Sequence, residues 1–153
     1  MNIINKTNTS KSTKVGIVVS HFNADITDNL LKGAISVLEN ELDSENITVV
    51  LVPGAVEIPL TLQRLAQSKK FDALIALGAV IYGETDHYEY VCQQVNQGAM
   101  RVMLDEAIPI GFGVLTVRVR DQAVARSGGA KGNAGAEAAE AVLHQISVLE
   151  QIG

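Results

Sequence analysis

The sequence predicts a three-layer αβα sandwich built on a four-stranded parallel sheet. Short apolar runs rich in Val, Ile, Leu and Ala alternate with longer segments whose apolar residues recur at helical spacing. This alternation favours a parallel sheet covered by helices on both faces. The 153 residues suffice for one hydrophobic core. We expect a single domain over residues 14–153, preceded by a polar segment, residues 1–13, that forms either a flexible arm or an added edge strand.

Four apolar runs predict the strands, and the periodic segments between them predict the helices. In the first helix Ile26, Leu30 and Ala34 share one face, and an alanine-rich final helix allows a neighbouring helix to approach closely. The predicted strands are Val15–Ser20, Ile47–Val52, Ala73–Val80 and Pro109–Leu115. The predicted helices cover about Asp25–Glu41, about Ala55–Gln67, a segment that starts near His87, a short one near Asp121–Arg126 and a final one from about Asn133.

Composition excludes several classes of function. A net charge of −5 provides no basic surface for nucleic acid, and no apolar run approaches the roughly 20 residues that cross a bilayer. Residues 1–13 are polar, so we expect no signal peptide. The single cysteine, Cys92, cannot form an intrachain disulfide, which fits a cytoplasmic protein. We therefore predict a cytoplasmic protein with no metal, no cofactor and no nucleic-acid or membrane partner.

Aromatic, acidic and imidazole side chains follow the predicted strands at the points where the strands end. Phe22 and Asn23 follow the first strand, Glu57 follows the second and His87 follows the third. Because ligands of parallel α/β sheets bind at the carboxyl ends of the strands, we expect these side chains at one site. The turn at Gly83 opens a helix whose unpaired N–H groups favour an anion, and whose dipole favours a neutral imidazole in the first turn. Taken singly, His87 could be an ordinary polar residue at a helix start and Glu57 a helix cap; their convergence favours a site.

An ordered set of motifs spans roughly residues 14–150. The motifs are Phe22-Asn23, Pro53-Gly-Ala-x-Glu-Ile-Pro59, Gly78-Ala-Val-Ile81, Gly83-x-Thr85-x-His87, Gly113-Val-Leu-Thr116, Asp121-Gln-Ala123, Arg126 and Gly132-Asn133. In this order and spacing the chain resembles the 6,7-dimethyl-8-ribityllumazine synthases, the riboflavin synthase beta-chain family. The resemblance implies a flavodoxin-like fold. It also implies a transferase that condenses 5-amino-6-(D-ribitylamino)uracil with 3,4-dihydroxy-2-butanone 4-phosphate, releasing phosphate and water.

The resemblance also implies roles for individual residues. His87 matches the proton-transfer residue, and Glu137 matches a carboxylate that orients its ring, although Glu137 alone is equally typical of a solvated helix face. Phe22 matches the position that stacks on the pyrimidine, and Glu57 matches the carboxylate that holds the ribityl hydroxyls. Phe112 matches a residue that reaches the pyrimidine from the adjacent subunit. The other substrate-binding positions carried over are Asn23, Ala55, Val56, Val80, Ile81, Gly83, Glu84, Thr85, Arg126 and Lys131.

Phosphate recognition departs from the family pattern. Ala134 stands where the family usually has Lys after the Gly-Asn pair, and Lys131 sits one residue later than the family's other loop lysine. Tyr82 stands where Arg is common, and Arg118 stands where an acidic residue is usual. We expect Arg126 to be the main phosphate-binding cation, with Lys131 or Arg118 replacing the missing lysine in part.

The resemblance implies a homo-oligomer with shared active sites. The family forms pentamers that often close into a hollow icosahedral shell, and the loop from Arg126 to Asn133 has the length found in shell-forming members. Phe112 would come from one subunit, and Arg126, Glu57 and His87 from the facing one. Riboflavin synthase is a candidate partner.

Two alternative functions remain open at this point. One is a non-catalytic, shell-forming relative that binds flavin or lumazine and has an altered phosphate site. The other is a generic nucleotide-binding α/β domain. That domain would need G-x-G-x-x-G in the first strand-to-helix turn, where this chain has Ser20-His-Phe-Asn-Ala-Asp25.

Overall fold

The predicted parallel sheet and its two helical layers are confirmed by a computed structural model, which describes residues 1–153. The long strands pair in parallel in the order β2-β1-β3-β4, and two short strands form an antiparallel hairpin, β5-β6. The fold is therefore α/β and flavodoxin-like. In chain order the elements are β1 (Val15–Ser20), α1 (Ala24–Glu39), β2 (Ile47–Val52), α2 (Ile58–Gln67), β3 (Ala73–Ile81), α3 (His87–Asp105), β4 (Ile110–Val117), α4 (Arg120–Ala125), β5 (Ser127–Gly129), β6 (Gly132–Asn133) and α5 (Ala134–Ile152), with 3₁₀ turns at Ser44–Asn46 and Ala55–Glu57.

Two apolar layers hold the sheet, one on each face. Helices α1, α4 and α5 pack on one face, where Ile17 and Leu77 are fully buried. Helices α2 and α3 pack on the other face, where Val18 and Ala76 are fully buried. Since β1 and β3 are covered on both faces, their sequences are nearly continuous aliphatic runs.

Most predicted boundaries agree with the structure, and two differ for identifiable reasons. The fourth strand continues to Val117, two residues beyond its predicted end, because it pairs with the whole end of β3 up to the Ile81–Val117 partners. The second helix begins at Ile58, because the three residues before it form a separate 3₁₀ turn. That turn is closed by the Glu57 carboxylate, whose Oε1 accepts a hydrogen bond from the Gly54 N–H at 3.0 Å.

Residues 1–14 contribute no strand to the sheet of this chain. The segment lies against α5 and the turn that follows α1 instead. The Thr7 N–H donates to Ser147 Oγ at 2.8 Å, and Lys6 Nζ donates to Glu41 Oε1 at 2.8 Å. None of the helices is both long enough and apolar enough to cross a membrane.

Helices α1 and α5 approach each other so closely that the contact requires glycine. A Cβ at Gly135 would overlap the backbone carbonyl of Leu30. Asn133 fixes the same junction, since its Oδ1 accepts from the Gly135 and Ala136 N–H groups while its Nδ2 donates to the Asn29 carbonyl at 3.0 Å. The helix start and the hairpin before it are therefore fastened to α1.

Replacing Gly135 with alanine should destabilise the protein. The added methyl group meets backbone atoms that cannot move without separating α1 from α5, and overpacking of this kind typically costs about 1–3 kcal/mol. Thermal or urea unfolding of Gly135→Ala measures the loss. Glu140→Ala, at an exposed position of the same helix, is the control and should change little. An unchanged unfolding midpoint in Gly135→Ala would contradict the close approach.

Candidate active site

A cavity of about 410 Å³ opens at the carboxyl edge of the sheet, where β1, β2 and β3 end. Its wall is mostly apolar, with one imidazole and one threonine hydroxyl. Eight of the residues predicted from sequence line it: Phe22, Ala55, Val56, Val80, Ile81, Gly83, Thr85 and His87. Gly54, Ala79, Tyr88 and Val91 also line it and were not predicted as site residues. In the sequence, Tyr88 and Val91 have the apolar spacing of one helix face, but that spacing does not indicate which part of the face reaches the cavity.

The turn after β1 presents Phe22 at the mouth of the cavity. Its backbone is fixed to the neighbouring strand end, because the Phe22 N–H donates to the Pro53 carbonyl at 2.9 Å. Asn23 adopts a left-handed conformation (φ 62°) and donates from Nδ2 to the Ala79 carbonyl at 3.0 Å. Asn23 thus joins the end of β1 to the end of β3. The Phe22 side chain remains 71% exposed and offers a flat apolar surface.

The turn after β2 supplies Ala55 and Val56 to the wall. Glu57 is exposed and does not line the cavity of this chain. One of its carboxylate oxygens accepts the Gly54 N–H, so the capping role considered from sequence is present. This bond holds the carboxylate beside the turn that forms the wall.

The connection from β3 to α3 brings unpaired backbone donors to the rim. Gly83, Glu84 and Thr85 are exposed, and no atom lies within 4 Å of the position where Gly83 would carry a Cβ. Helix α3 begins at His87, whose backbone N–H donates to Thr85 Oγ1 at 3.3 Å. The open loop and the positive end of a 19-residue helix form a surface suited to an anion.

Two tyrosines and an arginine pack beside this loop. The Tyr82 and Tyr88 rings meet edge-to-face with centroids 5.5 Å apart. The Arg118 guanidinium lies over both rings, 4.7 Å from the Tyr82 centroid and 5.5 Å from the Tyr88 centroid. Burial raises the pKa of the Tyr88 phenol, with a further contribution from the nearby Cys92 thiol. Burial likewise raises the pKa of Cys92, so this thiol is protonated at neutral pH and is a poor nucleophile.

Four predicted site residues lie away from the cavity of this chain. Phe112 is on the edge strand β4 opposite Ala76, in a shallow groove against α3, and is 45% exposed. Arg126 ends α4 and donates from Nη1 to the Gln122 carbonyl, Lys131 is in the β5–β6 hairpin, and Glu137 is in the first turn of α5. Helices α4 and α5 cover the face of the sheet opposite α3. No lysine or arginine therefore lines the cavity that contains His87.

A groove of about 490 Å³ between α3, β4 and α5 offers no side chain for acid–base chemistry. It is lined by residues such as Met103, Leu104 and Ile108, and none of its lining residues is ionisable. The structure also contains no cluster of three or more His, Cys, Asp or Glu side chains arranged to hold a metal ion.

Comparison with known proteins identifies close sequence relatives. The model of the family described as 6,7-dimethyl-8-ribityllumazine synthase matches residues 12–150. A protein of that name from Coxiella burnetii strain Dugway 5J108-111 is 50% identical over 145 residues, covering 94% of this chain and 96% of the relative. The protein of the same name from strain CbuG_Q212 shows the same identity and coverage.

Proposed function

The chain belongs to the 6,7-dimethyl-8-ribityllumazine synthase family, and from that premise we propose how its cavity carries out the family's reaction. It is a transferase of riboflavin biosynthesis. It condenses 5-amino-6-(D-ribitylamino)uracil with 3,4-dihydroxy-2-butanone 4-phosphate to 6,7-dimethyl-8-ribityllumazine, releasing phosphate and water. The observation that most supports the assignment of this cavity is that Phe22, His87 and the open Gly83–Thr85 loop surround one space.

The pyrimidine substrate binds against Phe22 in this proposal. A planar heterocycle gains both buried area and favourable ring geometry by stacking on an aromatic side chain. Ala55, Val56, Val80 and Ile81 supply the apolar wall behind it. Glu57 accepts hydrogen bonds from the ribityl hydroxyls, and its bond to the Gly54 N–H holds the carboxylate in place for that purpose.

His87 transfers protons in this proposal. Imine formation and loss of phosphate each require a group that takes up and later returns a proton, and imidazole does so near neutral pH. The His87 side chain borders the cavity within the first turn of α3. The adjacent N–H groups of Gly83, Glu84 and Thr85, together with the helix dipole, receive the phosphate.

The second half of the site comes from a neighbouring copy of the chain. The cavity lacks a cation, and Phe112, Arg126, Lys131 and Glu137 all lie elsewhere in the same chain. We therefore propose that these four residues act on the cavity of the adjacent subunit, with Glu137 orienting His87. This proposal moves Arg126 from the subunit that supplies His87, where sequence analysis had assigned it, to its neighbour.

Exposed apolar surfaces at opposite edges of the sheet support a cyclic homo-oligomer. At the β4 edge, Phe112 is 45% exposed and Leu104, beside the 490 Å³ groove, is 68% exposed. At the β2 edge, Leu51 is 74% exposed and Phe22 is 71% exposed. Large apolar side chains exposed at the edges of a sheet are typical of association surfaces, and two different surfaces that associate head-to-tail generate a ring when the rotation closes. We propose the homopentamer of the family, and closure of pentamers into an icosahedral shell as its extension; sedimentation at low protein concentration distinguishes the two.

The non-catalytic alternative is not favoured. Phe22, Glu57 and His87 are all present, and the relatives that are 50% identical are named as synthases. A cytoplasmic location is supported by the single cysteine, and riboflavin synthase is the partner that the family suggests. Turnover of the two substrates by the purified protein tests the function directly.

Removing the imidazole should slow the reaction without abolishing it. His87→Ala is expected to lower kcat by roughly 10- to 10⁴-fold, the upper part being the usual contribution of a positioned acid–base group. Some turnover should survive because holding the two substrates together accelerates the reaction by itself. Steady-state kinetics measure the loss, with His144→Ala at an exposed position of α5 as the control. An unchanged kcat in His87→Ala would remove this residue from the mechanism.

Removing Arg126, the cation proposed to bind the phosphate group, should affect the binding of one substrate only. Arg126→Ala is expected to raise the KM for the butanone phosphate, since a charge-assisted bond contributes about 1.5–3 kcal/mol, and to leave pyrimidine binding nearly intact. Ala134→Lys should lower the same KM if the family's phosphate geometry applies. If that lysine has no effect while Lys131→Ala is harmful, the loop instead binds phosphate through Lys131.

Mixing two impaired variants tests whether the site is shared. His87→Ala and Arg126→Ala subunits, dissociated together and reassembled, should recover activity in about one site in four by random assortment around a ring. Each variant reassembled alone is the control and stays impaired. If Arg126 and His87 act from the same chain, no mixed site contains both groups and mixing restores nothing.

A further inference from the structure

The Gly83–Asp86 loop has few contacts of its own. All four of its residues are exposed. Its backbone hydrogen bonds are at its two ends: the Tyr82 N–H donates to the Val117 carbonyl at 2.9 Å, and the Asp86 carbonyl accepts from the Glu89 N–H at 3.0 Å. The position of the loop therefore depends on what fixes the residues immediately before and after it.

Those flanking residues are Tyr82 and Tyr88, and their rings are in contact. Tyr82 follows the last residue of β3, and Tyr88 is the second residue of α3. The edge-to-face pair, with an interplanar angle of 74°, closes the base of the loop. Tyr88 also lines the cavity beside His87, so this contact extends into the site.

Arg118 joins the two rings from a third element. It is the first residue after β4, and its backbone N–H is held by Gln122 Oε1 at 2.9 Å. Its guanidinium lies over both rings and forms no ion pair with a carboxylate. The positive charge of Arg118 therefore interacts with the faces of the two tyrosine rings. A planar guanidinium suits this arrangement better than an ammonium group does.

We propose that Arg118 is a positioning residue for the phosphate-binding loop: by stacking on Tyr82 and Tyr88 it holds the end of β3 and the start of α3 together and so orients the Gly83–Thr85 amides. The inference rests on the proposed role of that loop. It also explains two departures from the family pattern together, because residues 82 and 118, each unusual for the family, are in direct contact. Arg118 then acts on the phosphate through the tyrosines and does not replace the missing lysine.

The kinetic test separates positioning from direct binding. Arg118→Met keeps a long apolar side chain but removes the cation, and Tyr82→Leu removes the ring. Each should raise the KM for the butanone phosphate about threefold to tenfold, the size of a cation–π contact to two rings, while kcat and the pyrimidine KM stay within about twofold. The double variant should be no worse than either single variant. Arg118→Lys should restore part of the affinity, and Tyr82→Phe should behave as wild type because it keeps the ring.

A spectroscopic readout accompanies the kinetics. The chain has no tryptophan and three tyrosines, two of which are in this cluster, so near-ultraviolet circular dichroism reports mainly on them. Arg118→Met should reduce this signal without changing the far-ultraviolet spectrum. Arg101→Met is the matched control, since Arg101 is an exposed arginine on α3 that pairs with Asp105, and it should change neither the kinetics nor the spectrum.

Three results would overturn the proposal. The first is an unchanged KM for the butanone phosphate in Arg118→Met. The second is a raised KM in Arg118→Met but not in Tyr82→Leu, which would make Arg118 a direct ligand. The third is a lowered kcat together with a rise in both KM values, which would indicate general loss of structure. Failure of the proposed function gives a different result, because the wild-type protein itself would not turn over the two substrates. In that event, binding of inorganic phosphate by the wild type and by Arg118→Met still tests the positioning role.

Discussion

The parallel register of β1 with its two neighbours is the constraint on which the rest of the structure depends. Val15 is paired with Ile47 on one side and with Ala73 on the other, so the three strands start level. The turns that follow the three strands therefore lie at the same edge of the sheet. Because β3 is three residues longer than β1, its last residues, Val80 and Ile81, extend past the end of β1 and reach the cavity between these turns. Strands β1 and β3 are buried on both faces, so packing fixes their register: a shift by one residue would exchange the side chains that fill the two apolar layers.

The glycine contact between α1 and α5 is a second constraint. It fixes the β5–β6 hairpin, which carries Lys131 and follows Arg126, on the face of the sheet opposite α3. Gly135 allows the approach, and Asn133 ties the start of α5 to α1. Helix α4 is held to α1 as well, through the Arg120–Asp25 ion pair. Arg126 and Lys131 are therefore anchored on the α1 and α5 face of the sheet, away from His87. In the proposed site, one chain thus supplies two half-sites that lie on different parts of its surface, and a ring of identical chains would complete every one of them.

How much of this structure the sequence predicts depends on how far apart along the chain the interacting residues lie. Apolar runs and helical periodicity were sufficient for β1, β2 and the layer order, and the rule for parallel strand ends was sufficient to bring Phe22 and His87 to one cavity. The end of β4 at Val117 and the 3₁₀ turn before α2 were missed because they depend on a neighbouring strand and on a side-chain cap. Arg118 and Tyr82 are 36 positions apart in the sequence, so no local sequence pattern predicts their contact.

The positions of the charged side chains relative to the Gly83–Thr85 loop also determine which of the two substrates a single chain could bind. In a single chain, the anion would meet backbone amides, a helix dipole and the Thr85 and His87 side chains but no lysine or arginine, since Arg118 is directed at the tyrosine rings and Ala134 stands where the family usually has lysine. The stacking surface of Phe22 and the apolar wall, by contrast, lie within one chain, and Phe112 is the one pyrimidine-side residue that the proposal takes from the neighbour. In the proposed assembly, loss of the neighbouring subunit would therefore remove the cations and weaken the binding of the butanone phosphate more than that of the pyrimidine. On this view the homo-oligomer is needed chiefly for the charged substrate.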